Sequence, residues 1–99
     1  MQENITSLSK DQERYANWLN NNIPFLTQLF DFENRSYRVE LVERYLSTAS
    51  QGEIIMTKFA LGVWRHKDEF NFNFIDAAKT LDYQNMKVIT DWMKEPFWP

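Results

Sequence analysis

Between Gly52 and Arg65 the chain places Ile54, Ile55, Met56, Phe59, Ala60, Leu61, Val63 and Trp64 at every angle of a helix. A helix that is apolar all round has to be enclosed by other elements. This segment, spanning about residues 53–66, is therefore expected at the centre of the fold, with the rest of the chain wrapped around it. Gly62 is expected where a neighbour packs closely. Arg65-His66-Lys67 suits the end of the helix, where cations meet the negative pole of its dipole. A chain of 99 residues supplies one core, so residues 1–99 are expected to form a single helical domain.

The segments on either side also read as helix. Ser9 with Gln12 three residues later forms a capping box, and Tyr15, Trp18 and Leu19 follow at i, i+3 and i+4. Asn20-Asn21-Asn22 ends that helix, because Asn competes with the helical backbone. Pro24 opens a short apolar helix over 25–32. Ser36 is expected to cap the next one, whose Val39, Val42, Leu46 and Ala49 make an amphipathic face that Tyr37, Leu41 and Tyr45 widen. Gln51-Gly52 breaks it.

Phe70, Phe72 and Phe74 alternate with Asn71 and Asn73, a period of two. With no evident partner strand, this reads as an extended connector that plants its rings in the core. Asn73 caps a short helix from Phe74 to Leu81. Asp82 caps the last one, which carries Met86, Val88, Ile89, Trp92 and Met93, and Pro96 ends it before a Phe97-Trp98-Pro99 tail. The fold class is all-α: five or six short helices around the 53–66 helix. Two Gly and three Pro are too few for a turn-rich β-sandwich.

The composition removes several kinds of chemistry. Zero Cys leaves no disulfide, no thiolate nucleophile and no Cys-based metal centre. The one His, His66, sits between Arg65 and Lys67 and reads as a solvated helix end rather than a general base. Glu40 and Glu43 lie three apart on one helix, but no His-bearing helix completes a di-iron site. Gly52 and Gly62 stand alone, so no loop cradles phosphate. The expected protein is not an enzyme and takes no cofactor. The net charge of −3 is spread evenly, a poor footprint for non-specific nucleic-acid binding. The first six residues, Met1 to Thr6, lack the basic and apolar regions of a secretory signal, and no apolar stretch reaches the roughly 20 residues a bilayer needs. A cytoplasmic protein without membrane contact is expected. The Asn4-Ile5-Thr6 and Asn34-Arg35-Ser36 sequons would matter only after secretion.

Two sets of residues are candidates for function. Asp76-Ala77-Ala78-Lys79-Thr80-Leu81-Asp82 followed by Tyr83 to Trp92 resembles a helix-turn-helix, in which Gln84, Asn85 and Lys87 would face bases. Asp82 where the turn often has Gly, and Asp91 on the reading helix, count against it. The second set is aromatic. Eight Phe, four Tyr and four Trp exceed what one small core readily encloses, and a surplus on the surface marks a protein-binding or self-associating patch. Phe97 and Trp98 of the tail, with Phe70 and Phe72 of the connector, are the expected partner-binding residues.

Residues 52–99 resemble a family of small uncharacterised proteins carried on bacterial mobile elements. The shared run is Gly52, Phe59-Ala60-Leu61-Gly62-Val63-Trp64, Phe70 to Phe74, Leu81-Asp82 and the final amphipathic helix, with Val63 in place of the first of two Trp. The resemblance implies a phage, plasmid or integrative-element setting and carries over no functional residue. The leading expectation is thus a non-catalytic protein–protein interaction module, such as an accessory or anti-defence inhibitor of a mobile element. A DNA-binding regulator built on residues 76–94 and a structural subunit of a larger assembly stay open, as does a homo-oligomer.

Overall fold

The computed structural model describes residues 8–99. The sequon at Asn4 and the N-terminal signal reading fall on residues outside that range. Five α-helices carry the fold: α1 (Lys10–Asn22), α2 (Val39–Thr48), α3 (Gln51–Arg65), α4 (Phe74–Thr80) and α5 (Tyr83–Lys94). Among the described residues the fold is all-α apart from a two-stranded hairpin, β1 (Phe30–Asp31) and β2 (Ser36–Tyr37).

Helix α3 is the centre, as its composition requires. Every residue from Gly52 to Trp64 is buried or half-buried, and Ile55, Met56, Phe59, Ala60, Leu61 and Val63 enter the core from all sides. Each large apolar side chain enclosed in this way contributes roughly 1.5–3 kcal/mol. One hydrophobic cluster joins α3 to Tyr15 and Leu19 of α1, Val42 of α2, and Ile89 and Trp92 of α5. Gly62 is not a close-packing point: a Cβ added there would meet only the Lys67 carbonyl oxygen, at an ordinary 3.6 Å.

Local capping chemistry sets most helix starts. Ser9 and Gln12 form the reciprocal capping box of α1, Asn73 accepts from the Asp76 N–H for α4, and Asp82 accepts from the Asn85 N–H for α5. Helix α3 begins earlier than the apolar pattern suggests. Ser50 and Glu53 close a second capping box, so Gln51-Gly52 is the first turn of α3 rather than the break, which falls at Ala49-Ser50.

Residues 24–38 depart most from the sequence reading. The expected α-helix over 25–32 is a 3-10 helix at Pro24–Leu29 followed by the hairpin. Ile23, Leu26 and Leu29 recur every three residues and all three are buried. A three-residue repeat aligns on one face of a 3-10 helix, where i and i+3 eclipse. Phe30 then pairs with Tyr37 and Asp31 with Ser36 across a turn closed by left-handed Arg35 (φ 54°). Ser36 is therefore a strand residue and caps nothing. Arg38 takes the N-cap position of α2 without a side-chain bond, and its N–H donates to the Leu29 oxygen at 2.8 Å. The α2 face is also narrower than expected: Val42 is buried, while Val39 and Leu41 are exposed.

Candidate functional site

The segment from His66 to Asn73 leaves α3 through a left-handed His66 (φ 62°), returns along the helix and feeds α4. It forms no strand, but left-handed Asn71 (φ 61°) interrupts the expected extended run, and of the three rings Phe70 and Phe72 are half-buried against the core while Phe74 is exposed. Phe70 meets Tyr37 of β2 edge-on at 5.8 Å between centroids, and Phe72 meets Phe59 at 5.6 Å. The Asp68 carboxylate fixes the turn by accepting the Phe72 N–H at 2.7 Å.

The tail that follows α5 is held at four points. Trp92 Nε1 donates to the Phe97 oxygen at 3.2 Å. The Phe97 ring stands edge-on to Trp18, at 5.8 Å, with the Arg14 guanidinium 4.2 Å above its centroid. Trp98 meets the His66 ring at 5.4 Å and Trp92 at 5.1 Å. His66 Nε2 lies 2.9 Å from the Pro99 backbone oxygen. Phe97 and Trp98 consequently play different parts. Phe97 is half-buried between α1 and α5, whereas Trp98 keeps 49% of its surface in water.

Trp98 borders a surface hollow of about 330 Å³. Its floor comes from Phe59, Gly62 and Val63 of α3 with Trp92 of α5, and its walls from Phe72, Phe74, Met93 and Trp98. Lys58, His66, Lys67 and Asp68 stand around it. Of the four expected partner-binding residues, Phe72 and Trp98 meet at this hollow, while Phe70 and Phe97 are packed elsewhere. Phe74, Met93 and Lys58 belong to it and escaped the sequence reading. Lys58 carried a signal, as the one charge within the apolar run of α3; Met93 did not, because it continues the apolar face of α5.

Gln84, Asn85 and Lys87 do come together, on the wall of a second hollow of about 500 Å³. Arg14, Asn21 and Asn22 of α1 form the opposite wall, and Asp91 and Glu95 share the α5 side. Lys87 donates to Asp91 at 2.6 Å; this bond holds the Asp91 carboxyl below the usual carboxylate range and the Lys87 amine above its own. A reading helix has to enter a groove about 12 Å wide and offer cations to phosphate. Here the same face turns towards α1, and carboxylates offset its cations.

Among the described residues no group of three or more His, Asp or Glu side chains could hold a metal ion, and no helix is long and apolar enough to cross a membrane. The buried Tyr15 phenol is pushed well above its ordinary pKa by desolvation, and its hydroxyl is spent on the Ala60 carbonyl oxygen. No family model matches the chain, and neither a curated protein nor a solved structure matches it.

Proposed function

We propose that this chain is a non-catalytic protein–protein interaction module that docks its partner through the hollow between α3, α4, α5 and the tail. The observation that carries the reading is the convergence of three exposed apolar side chains there: Phe74, Met93 and Trp98 are 55%, 39% and 49% exposed and line one concavity. Exposed apolar side chains gathered in one place mark interaction surfaces, and aromatic anchors beside pockets dominate their energetics. Small size and net acidity fit an accessory or inhibitor role, in which binding alone is the activity.

The test is a nuclease-treated pull-down that compares wild type with Phe74→Ser/Trp98→Ser and with Ile75→Ser. Ile75 is 68% exposed but lies outside the hollow. The expected result is a stoichiometric protein retained by wild type and Ile75→Ser and lost by the double variant, with all three still unfolding in one cooperative transition. Retention by all three would sink the proposal. Enrichment of DNA that vanishes with nuclease would replace it with the helix-turn-helix reading.

A further inference from the structure

The charge around the hollow narrows the partner, an inference that rests on the docking reading above. In a chain of net charge −3, this rim carries two cations, Lys58 and Lys67, against one carboxylate, Asp68. Lys58 is half-buried at its edge and, among the described residues, has no acidic partner. Lys67 reaches Glu69 only at 3.5 Å, with 61% of its side chain exposed, and Glu69 is already engaged by Arg65 at 2.7 Å. The nearby acid, Asp68, has one carboxylate oxygen committed to the Phe72 N–H. An ammonium at the edge of an apolar surface gains most from a carboxylate that arrives with the ligand, because the pair then forms where water is partly excluded.

Size narrows it again. A cavity of about 150 Å³ is enough to hold benzene, so 330 Å³ admits one or two bulky side chains. Full burial of an aromatic side chain removes roughly 150–250 Å² from water. The half-exposed Phe74 and Trp98, with Met93, therefore offer on the order of 300 Å². A stable interface takes roughly 800 Å² per partner, too much for this patch to hold a second copy by itself. We infer that the occupant is a short peptide segment of another protein, one that places one or two bulky apolar side chains in the hollow and an Asp or Glu carboxylate against Lys58 and Lys67.

The experiment selects a displayed library of random twelve-residue peptides on full-length wild-type protein, with counter-selection on Phe74→Ser/Trp98→Ser. The expected peptides pair an aromatic residue or Leu with Asp or Glu within about four positions. Individual winners should bind Lys58→Gln at least five-fold more weakly and Lys58→Arg within two-fold of wild type, and they should lose affinity as salt rises. Winners that are uncharged or basic, or that ignore Lys58→Gln, would overturn the acidic-segment inference and leave the docking site standing. If no peptide distinguishes wild type from the double variant, both the docking reading and this inference fall.

Discussion

The Tyr15 hydroxyl donates to the Ala60 carbonyl oxygen over 2.6 Å, joining α1 to the centre of α3 across 45 residues of chain. Both residues are fully buried. The Tyr15 ring is surrounded by Trp18, Phe30, Phe32 and Trp64, with centroids 5.2–6.4 Å away. Tyr15→Phe keeps the ring packing and removes the bond, so a loss of about 1 kcal/mol is expected. Tyr15→Ala also opens a cavity and should cost about 4 kcal/mol. Urea denaturation of the two variants separates the terms, and a Tyr15→Phe variant as stable as wild type would show that the bond contributes nothing.

Gly62→Ala should stabilise the protein. The residue lies inside α3 at negative φ, and the new methyl group meets an ordinary contact rather than a clash. Removing the glycine's excess freedom in the unfolded chain is worth roughly 0.5–1 kcal/mol. A midpoint raised by several degrees in thermal unfolding is the expected readout.

The Ser50–Glu53 capping box makes α3 acid-sensitive. Hydrogen bonds from the Ser50 backbone and hydroxyl hold the Glu53 carboxyl below the usual range, against some desolvation. A carboxyl lowered in the folded state contributes stability that is fully present above its unfolded pKa, and that stability is lost as pH falls through the folded value. The loss should therefore appear on going below about pH 4.5. Ser50→Ala should cost about 1 kcal/mol at pH 7 and less at acid pH, as the partner carboxylate takes up its proton. Denaturant titrations at neutral and acid pH check the sign.

Adjacent tail residues should behave differently on truncation. Phe97→Ala removes a half-buried ring from Trp18 and Arg14 and should cost about 2 kcal/mol of stability, below the roughly 3–5 kcal/mol of a fully enclosed aromatic. Trp98→Ala gives up edge-on contacts with His66 and Trp92 but was half in water already. A stability loss of about 1 kcal/mol or less is expected there, with the larger effect on partner affinity. The reverse order would assign Trp98 to the fold and not to the site.

Much of the fold was legible because its signals are local. The caps at Ser9, Asn73 and Asp82 each bond a backbone N–H three residues on, so residue type and spacing state them outright. The central helix was legible from its all-round apolar character, which has one stable resolution. The Ser50–Glu53 box has the same local signature, but reading Gln51-Gly52 as a break hid it. The hairpin was not legible, because it depends on Phe30 meeting Tyr37 and on Ile23, Leu26 and Leu29 finding a common core face. Short polar signals at Ser36 lost to that burial.

The candidate site divides in the same way. Aromatic abundance pointed to a surface patch, and two of its walls, Phe72 and Trp98, came from residues the sequence singled out. The sequence by itself determined which residues are apolar, which cap helices and which segment must lie at the centre, since those properties act within about four residues. Only the tertiary structure decided that Phe97 is enclosed while Trp98 stays half exposed, and that Phe74, Met93 and Lys58 join it around one hollow. Those outcomes depend on contacts such as His66 to Pro99, spanning 33 residues, whose geometry exists only once the whole core has packed.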